Sequence, residues 1–507
     1  MSHSTSRRQE KPGAALMVVG THSDAGKSIL VTALCRIFAQ QGVRVAPFKS
    51  QNMSLNAGVT PEGHEIGRST CAQAEAAGVA PHVDMNPVLI KPEAECRSQV
   101  VLEGRPWGRI EAGNWHELKA LFWQHITAAF DRLRARYELV IMEGAGSPAE
   151  INLMANDNAN LRVAQHADAP AILVGDIDRG GVFASLLGTV SLLEPAQREL
   201  VKGFVINKMR GDPRLLGDGP ERLRERAFGI PTLGVIPYLP DLGIAEEDSV
   251  ALARPARQDD SDAEIDLAVV QLTHVANFDD FDPLAREPGV RLRYVASVEE
   301  LGTPSAVLLP GTKTTLADLA WLRDTGLAEA VVTLARRGVP VVGICGGFQM
   351  LGSELSDPEG SEAAPGAIDQ GLGLLPVNTR FASDKRTVQV EATWRAPAPA
   401  GLAGISVRGY EIHMGQSETL GLEPAFRLAG SNQPDGACSA DGRIWGTYLH
   451  GLFDNDAFRH AWLRTLGWTH EGRCFDREPA YDRLAAHVRD HLDLAALETI
   501  IWGDRSR

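Results

Sequence analysis

This 507-residue sequence has no excess of positive charge, no long hydrophobic runs and no regular spacing of its cysteines. Asp and Glu (65) outnumber Lys and Arg (50), and the resulting net charge of −15 argues against a general nucleic-acid binder. The longest apolar runs, residues 169–175 and 341–345, are far shorter than the ~20 residues that cross a bilayer. The six cysteines show neither a C-x-x-C pair nor zinc-site spacing. We therefore predict no membrane span, no disulfide framework and a reducing compartment.

The N-terminal segment, residues 1–13, is polar and runs directly into a Gly-rich motif instead of a cleavage site. We expect it to be a disordered leader to a cytoplasmic protein. With 44% hydrophobic residues, the rest of the chain has ample material for packed cores.

The hydrophobic pattern predicts two α/β domains. Short apolar runs separated by helical patterns are typical of a parallel sheet covered on both faces, and they occur at residues 15–19, 43–48, 139–142, 171–174 and 203–206. A second series begins with residues 265–270, 307–309 and 341–344. We predict a first domain at 14–250, a linker at 251–262, a second domain at 263–455, and a helical C-terminal extension at 456–507 that packs on the second domain.

The turn after the first predicted strand reads GTHSDAGKS, residues 20–28, and is followed by a helical pattern. Backbone N–H groups of such a loop and the positive end of the helix dipole favour a phosphate. The residues predicted to bind the nucleotide here are Gly20, Thr21, Gly26, Lys27 and Ser28. Lys27 supplies a mobile charge, and the Ser28 hydroxyl can ligate Mg²⁺. The loop is one residue longer than the common form, as in dethiobiotin synthetase.

Polar residues follow the other predicted strands of this domain. Glu143 comes directly after residues 139–142, where a carboxylate can hold Mg²⁺ against ATP phosphates. Asp176 and Asp178 end another strand and are candidates for metal or substrate contact. Asn207 follows a further strand and is a weaker candidate for a purine contact, because Asn is a common turn residue.

Four more polar residues are candidates for an anionic substrate: Lys49, Gln51, Asn52 and Lys91. The first three follow the second strand, at the same edge as the phosphate loop, and we place Lys91 similarly. Exposed lysines are usually only solvated, so both lysines keep that alternative.

In the second half, residues 341–344 run into Cys345 and two glycines, the pattern of a nucleophile elbow. A tight strand-to-helix turn exposes the Cys345 side chain and favours its thiolate. The N–H of Gly346 is one candidate oxyanion donor, and the loop around Gly311 is the other. His450, in the segment GTYLHG, is the candidate base.

At this point the ordered motifs identify a family. The chain resembles the cobyric acid synthase family of glutamine-dependent amidotransferases over nearly its whole length, in the segments GTHSDAGKS, PFKSQNMSLN, GRSTCAQAEAAG, MNPVLIKP, EGAGSPAEINL, GDIDRGGVFASLLGT, NKMRGD, LPGTKTTLADL, GICGGFQMLG, GYEIHMG and GTYLHGLF.

The resemblance implies a P-loop domain like dethiobiotin synthetase, followed by a class I-like glutamine amidotransferase α/β domain. It implies amidation of four peripheral carboxylates (b, d, e and g) of adenosylcobyrinic acid a,c-diamide, with glutamine, ATP and Mg²⁺ and without a prosthetic group. Cys345 would be the glutaminase nucleophile and His450 its base. Ordinary class I members carry a Glu two residues after the histidine, but that place is Leu452 here. Glu411 and His413 are candidates to orient His450 or bind glutamine.

In the mechanism we expect, the first domain activates each substrate carboxylate as an acyl phosphate, which ammonia from the second domain then displaces. The sequence also allows two other interpretations of the function. One is a relative of the same architecture, such as cobyrinic acid a,c-diamide synthase or a cell-wall amidotransferase. The other is a ParA-like ATPase switch with an inactive amidotransferase domain. Oligomeric state, including a homo-oligomer, is not decided by the sequence.

Overall fold

The computed structural model describes residues 12–94, 97–111, 115–154, 157–240, 242–244 and 263–503. The predicted linker, residues 251–262, lies outside these ranges. The first half contains strands β1 to β12 and helices α1 to α7. In chain order they are β1 (Ala14–Gly20), α1 (Lys27–Gln40), β2 (Val45–Phe48), β3 (Gln51–Met53), β4 (Ala57–Val59), β5 (Glu65–Gly67), α2 (Arg68–Ala76), β6 (Val88–Ala94), β7 (Arg97–Leu102), β8 (Arg105–Glu111), α3 (Trp115–Arg136), β9 (Leu139–Glu143), α4 (Leu161–Ala167), β10 (Ala171–Asp176), α5 (Val182–Leu192), α6 (Pro195–Arg198), β11 (Val201–Met209), α7 (Gly219–Arg226) and β12 (Thr232–Pro237).

The N-terminal sheet is parallel, in the order β12-β11-β10-β1-β9-β2. All five strands predicted in this half belong to it, and both faces are covered, which explains their continuous apolar character. The order reverses at β1, with β10 on one side and β9 on the other. Ligands bind beyond the carboxyl ends of such strands, so the phosphate loop and Glu143 lie at the expected edge.

A small mixed sheet, in the order β3-β6-β7-β8, is inserted between β2 and α3; β3 and β6 are parallel, and the other pairs are antiparallel. On one side of the insertion, Gln51, Asn52 and Met53 of β3 line the cavity that extends from the phosphate loop. On the other side β4 contacts β19 and β20 of the second half. This insertion, which sequence periodicity did not predict, is one of the contacts between the halves.

The second half contains strands β13 to β24 and helices α8 to α15. In chain order they are β13 (Ile265–Val270), α8 (Asp282–Ala285), β14 (Val290–Val295), α9 (Val298–Leu301), β15 (Ala306–Leu309), α10 (Thr315–Asp324), α11 (Leu327–Arg336), β16 (Val341–Ile344), α12 (Gly346–Leu351), β17 (Glu354–Asp357), β18 (Ala367–Gln370), β19 (Val377–Trp394), β20 (Ser406–Thr419), β21 (Phe426–Leu428), β22 (Pro434–Asp435), β23 (Ala437–Cys438), β24 (Ile444–Thr447), α13 (Asp456–Thr465), α14 (Glu478–Arg489) and α15 (Leu494–Trp502).

The central sheet of this half has the order β14-β13-β15-β16-β24-β23 and is parallel except at β23. The predicted strands 265–270, 307–309 and 341–344 are β13, β15 and β16. Cys345 follows β16, and its neighbour β24 leads to His450, so the two residues lie at one sheet edge. Two α/β domains with parallel sheets confirm the predicted fold class. Within the described residues, no helix is long and apolar enough to cross a membrane.

The C-terminal extension divides between the two domains. Helix α13 packs on the second domain through Trp462 and Leu463, as predicted. The prediction is wrong for α14 and α15, whose apolar residues join β1 and α1 of the first domain in one core: Tyr481, Leu484, Ala485, Val488, Leu497 and Ile501. The chain thus returns to cover α1, and ion pairs from Arg36 to Glu478 and Asp482, both 2.7 Å, fix α14 there.

Replacing Arg459 by Ala is expected to destabilise the second domain by about 3 kcal/mol. Arg459 and Glu287 are fully buried and joined by a 2.7 Å bond, and Arg459 also donates to the carbonyls of Phe453 and Arg473. The Ala variant leaves the Glu287 charge with only weaker partners. Urea unfolding followed by tryptophan fluorescence measures the loss. The exposed pair of Arg408 and Glu391 provides the control, since Arg408→Ala should cost less than about 1 kcal/mol; equal midpoints for both variants would contradict the expectation.

Candidate active sites

In the phosphate loop, residues 20–28, the Lys27 side chain folds back onto the loop. Lys27 Nζ donates to the carbonyls of His22 (3.0 Å) and Gly146 (3.1 Å), so the ammonium lies across the loop. Gly26 has φ +95°, and a Cβ there would come within 2.0 Å of Asn207 Nδ2. Only glycine fits this position. The buried Thr21 hydroxyl lies among the described groups without a hydrogen-bond partner.

Glu143 is buried at the end of β9 and is held by three side chains. Its Oε1 accepts from Ser28 Oγ (2.7 Å) and Lys49 Nζ (2.9 Å), and its Oε2 accepts from Gln73 Nε2 (2.6 Å). Burial alone would raise the pKa of Glu143, but Lys49 and the hydrogen bonds outweigh it and lower the pKa below its usual value. Glu143 is therefore an ionised carboxylate beside the loop hydroxyl. Sequence reasoning placed Ser28, Glu143 and Lys49 here and missed Gln73.

These oxygens suit Mg²⁺, which takes one or two protein ligands and completes its shell with phosphate and water. Ser28 and Glu143 offer a hydroxyl and a carboxylate 2.7 Å apart. No cluster of three or more His, Cys, Asp or Glu side chains that could hold a metal occurs in the described part of the chain. The described side chains therefore suit a magnesium ion that is bound together with a nucleotide, and they do not form a site in which protein supplies all the ligands.

A cavity of about 920 Å³ extends from the phosphate loop and Glu143. Gln51 and Asn52 line it, as predicted. Asn52 is fully buried, and neither of its side-chain polar atoms has a partner in the described structure. Asn207 also lines the cavity, and its Nδ2 donates to Ala25 O (3.1 Å). The far wall comes from residues 236–240 and 242–244 together with Leu484, His487 and Val488 of α14.

Asp176 and Asp178 lie at the same sheet edge but are engaged elsewhere. Asp176 Oδ2 is 3.1 Å from Lys208 Nζ, and Asp178 pairs with Arg210 at 2.6 Å. The described residues that line the cavity include Lys208 and neither of these carboxylates. Direct contact of Asp176 or Asp178 with metal or substrate stays a prediction.

Lys91 is not placed as predicted. It belongs to β6 of the inserted sheet, which carries it away from the phosphate loop and into the lining of the pocket around Cys345. There it is buried and ion-paired with Glu65, which also binds Lys385 of the second domain. The sequence misled because residues 88–91 look like a strand of the main sheet, whereas they pair with β3 and β7.

Cys345 forms the elbow that its sequence predicts. It has φ +50° and ψ −107°, a strained conformation for a non-glycine residue, between β16 and α12. A Cβ on Gly347 would lie 2.0 Å from Leu309 O, and one on Gly346 would lie 2.6 Å from Thr312 Cγ2. The two glycines are required because the turn packs directly against the loop after β15.

His450 is oriented by an aspartate that sequence reasoning missed. Its Nδ1 lies 2.7 Å from Asp280 Oδ2, and Asp280 Oδ1 accepts from the N–H of Gly451 at 2.8 Å. Burial lowers the pKa of His450, but the Asp280 carboxylate and a hydrogen bond with Cys345 outweigh it and raise the pKa to about 10. The site therefore contains an imidazolium beside the thiol. Asp280 lies in a short turn far earlier in the chain, where no sequence signal marks it.

Glu411 and His413 do not contact His450 through their side chains among the described interactions. Glu411 is bound by Arg386, and the His413 ring stacks on Tyr448 with centroids 3.7 Å apart. His413 lines the Cys345 pocket, whereas Glu411 does not. Of the two roles predicted for this pair, orientation of His450 is therefore taken by Asp280, and a glutamine contact stays a prediction for His413.

Gly311 lies beside both catalytic candidates. A Cβ on it would be 3.0 Å from His450 Cε1 and 3.7 Å from Cys345 Cβ. The pocket is also lined by Lys313, Lys385 and Glu362, so both basic and acidic side chains face it. The site thus combines a nucleophile, Cys345, with an imidazolium, His450, and the Asp280 carboxylate that orients it.

Known proteins match both halves. Residues 16–252 match the CobQ/CobB/MinD/ParA nucleotide binding domain, and residues 266–458 match the CobB/CobQ-like glutamine amidotransferase domain. Three proteins named cobyric acid synthase are similar over nearly the whole chain. The one from Chloroflexus aurantiacus is 51% identical over 492 residues, 96% of this chain and 99% of its own. The one from Desulforudis audaxviator is 54% identical over 459 residues, 89% and 90%. The one from Moorella thermoacetica is 47% identical over 508 residues, 97% and 98%.

Proposed function

The chain belongs to the cobyric acid synthase family, and from that premise we propose that it converts adenosylcobyrinic acid a,c-diamide to adenosylcobyric acid. As a member it is a glutamine-dependent, ATP-using amidoligase of cobalamin biosynthesis. The b, d, e and g carboxylates are each amidated at the cost of one glutamine and one ATP. The observation that carries this proposal is full-length similarity together with two complete sites, the Glu143 cavity and the Cys345 pocket.

In the glutaminase site, the Cys345 thiolate attacks the side-chain amide carbon of glutamine, and His450 gives its proton to the departing ammonia. Water then hydrolyses the glutamyl thioester. Asp280 holds the His450 ring and keeps it protonated, which the raised pKa of His450 supports. The N–H groups of Gly311 and Gly346 are the proposed donors to the oxyanion.

In the synthetase site, a substrate carboxylate attacks the γ-phosphate of ATP and forms an acyl phosphate, from which ammonia displaces phosphate. The proposed residues for the ATP phosphates are those of the loop, Lys27 above all, with Asn207 toward the base. Ser28 and Glu143 would hold Mg²⁺, which neutralises phosphate charge when bound. Lys49 keeps Glu143 ionised and adds positive charge near the transferred group.

Exposed apolar side chains at the cavity mouth support a corrinoid substrate. Met53 and Leu153 line the cavity and are exposed, and Ile151 beside them is 65% exposed. Exposed apolar groups next to a polar catalytic centre suit a large macrocycle whose carboxylates lie at its edge. Gln51 and Asn52 are the proposed contacts for those edge groups.

Residues 51–55 are the proposed path for ammonia. Gln51, Asn52 and Met53 line the synthetase cavity, and Leu55 lines the Cys345 pocket. Three residues of extended chain span about 10 Å, so the two walls are neighbours here. The unpartnered amide of buried Asn52 supports a polar route.

The function is tested by mass spectrometry of adenosylcobyrinic acid a,c-diamide after incubation with the protein, Mg·ATP and glutamine. Stepwise gain of four amides, with one glutamate and one ADP per amide, is expected. ATP hydrolysis without any change in the corrinoid would overturn the substrate and favour the switch-protein alternative. Cobyrinic acid as the better substrate, stopping at two amides, would favour an a,c-diamide synthase.

Glu143→Gln is expected to lower amidation about 100-fold with either glutamine or ammonium as donor, because a neutral amide is a poor magnesium ligand. Circular dichroism checks the fold, since Lys49 loses its buried partner. Mn²⁺ titration in the presence of nucleotide, followed by electron paramagnetic resonance, should show weaker metal binding. Asp218→Asn, an exposed carboxylate paired with Arg222, should change neither measurement; unaltered Mn²⁺ affinity in Glu143→Gln would remove Glu143 from the metal site.

A further inference from the structure

One buried helix, α2, reaches both active sites. Eight of its nine residues are buried. At its C-terminal side, Gln73 donates to Glu143 Oε2 (2.6 Å) and approaches Ser28 O (3.5 Å), while the buried Gln73 Oε1 has no hydrogen-bond partner among the residues that the structure describes. Gln73 thus contacts the Glu143 carboxylate and the backbone of Ser28, the two residues proposed to hold Mg²⁺.

The other end of α2 contacts the glutaminase site. Arg68, its first residue, donates through Nε to Asp279 Oδ2 at 2.8 Å, and both side chains are less than one tenth exposed. Asp279 is the neighbour of Asp280, which orients His450. Burial and the Arg68 charge act oppositely on Asp279, and the guanidinium prevails, so the pKa of Asp279 lies below its usual value. A buried charge pair therefore locks the turn that carries Asp280.

A second contact from the first domain fixes the same turn. Asn56 Oδ1 accepts from Asn277 N (2.7 Å), and Asn277 Oδ1 accepts from Ala57 N (2.9 Å). Asn277 has φ +53° and directly precedes the turn of residues 278–281. The N–H of Arg68 in turn donates to Asn56 O at 3.1 Å. The first domain thus holds the Asp280 turn at two points, and both points meet at the start of α2.

We propose that α2 couples the two sites, with Arg68 as a positioning residue for the Asp280–His450 pair and Gln73 as its link to the nucleotide site. The inference rests on the proposed function of those sites. Gln73 and Arg68 are five residues apart, about 7.5 Å along a helix, and a buried helix moves as a unit. Any change in the partners of Glu143 on nucleotide binding is passed to Gln73, and through α2 to the Asp279–Asp280 turn.

The coupling must be reciprocal, because it is a free energy shared by two binding events. Nucleotide binding changes the affinity of the glutaminase site for a glutamine analogue, and a filled glutaminase site changes nucleotide affinity by the same factor. The test examines the coupling in both directions.

The experiment measures the rate at which 6-diazo-5-oxo-L-norleucine labels Cys345 in the full chain, with and without a non-hydrolysable Mg·ATP analogue. In the wild type we expect the nucleotide to change the rate at least about fivefold, the lower range of allosteric coupling. Calorimetry on labelled and unlabelled protein should show that a filled glutaminase site also changes nucleotide affinity. In Gln73→Leu and Arg68→Met, both factors should fall to within about twofold of unity, and Arg68→Lys should restore part of the response.

Arg36→Ala is the matched control. Arg36 also joins distant parts of the chain, from α1 to α14, and its described ion pairs go to Glu478 and Asp482 of α14; its variant should keep the wild-type factor. If Arg68→Met does not fold, Gln73→Leu still decides the question. A wild-type labelling rate that ignores a nucleotide shown by calorimetry to bind would overturn the coupling and leave the proposed function intact. Equal loss of coupling in Arg36→Ala would overturn it too. Absence of nucleotide binding altogether would instead contradict the proposed function.

Discussion

Cys345→Ala is expected to lose glutamine-dependent amidation by about 10⁴-fold or more while keeping amidation with ammonium. Removing the nucleophile of a hydrolytic site costs at least this much, because no other group can form the covalent intermediate. Cys345 lies in a strained elbow at 7% exposure, next to His450 and Gly311. The synthetase cavity is lined by other residues and should work normally when ammonia is supplied from solution.

The measurement is corrinoid amidation with either nitrogen donor, followed by mass spectrometry, and glutamate release in parallel. Cys438→Ala is the matched control, since Cys438 is a buried thiol of the same domain whose Sγ lies 3.3 Å from Ala398 O, in a backbone contact away from the pocket. It should retain both reactions. Loss of the ammonium reaction in Cys345→Ala would mean that the two sites are not chemically separate.

Much of the fold follows from the sequence because both main sheets are parallel and covered on both faces. Such strands read as continuous apolar runs, and β1, β9, β10, β13 and β16 were all visible in that way. The elements that escaped prediction include those of the inserted sheet and the β19–β20 hairpin, whose exposed positions interrupt the apolar pattern.

The hydrophobic pattern of a helix also does not indicate which domain's core the helix packs against. The spacing of Leu484, Val488 and Leu497 predicts amphipathic helices, and the structure has them, but they cover α1 rather than the nearer domain. The same limit applies to Lys91, which was predicted at the edge of the main sheet and belongs instead to the inserted sheet. Pairing partners are set by tertiary contacts over long sequence separations.

Some residues of the candidate sites could likewise be predicted from the sequence, and others could not. The loop glycines, Lys27, Glu143 and Cys345 follow strands directly, so position along the chain predicts their place at a sheet edge. Asp280 and Gln73 lie in a short turn and within a buried helix, where an acidic or amide side chain has many ordinary roles. Only the folded contacts with His450 and Glu143 distinguish them.

Asp280→Asn should lower glutaminase activity about 10³- to 10⁴-fold near pH 8, the effect of the corresponding carboxylate-to-amide change in a serine protease triad. The Asp280 carboxylate opposes burial and raises the pKa of His450 to about 10, far above its ordinary value near 6.5. In the wild type the imidazolium therefore persists up to about pH 10, and its pairing with Asp280 stabilises the fold fully below about pH 6.5 and is lost as pH rises through about 10. Without the carboxylate, burial dominates and the pKa of His450 falls.

The variant then holds a neutral imidazole at pH 8, which has no proton for the departing ammonia and gives no charge to the thiolate. Glutamate release measured from pH 6 to 10 should show a deficit that widens as pH rises, whereas ammonium-dependent amidation stays near the wild-type rate. Asp435→Asn is the control, because Asp435 is a buried carboxylate that accepts from Tyr448 N at 3.1 Å and supports the strand leading to His450. That variant should lose less than about tenfold at every pH. A deficit in Asp280→Asn that does not vary with pH would show that Asp280 only supports the backbone, because loss of the imidazolium charge is the one effect of this substitution that must grow as protons become scarce.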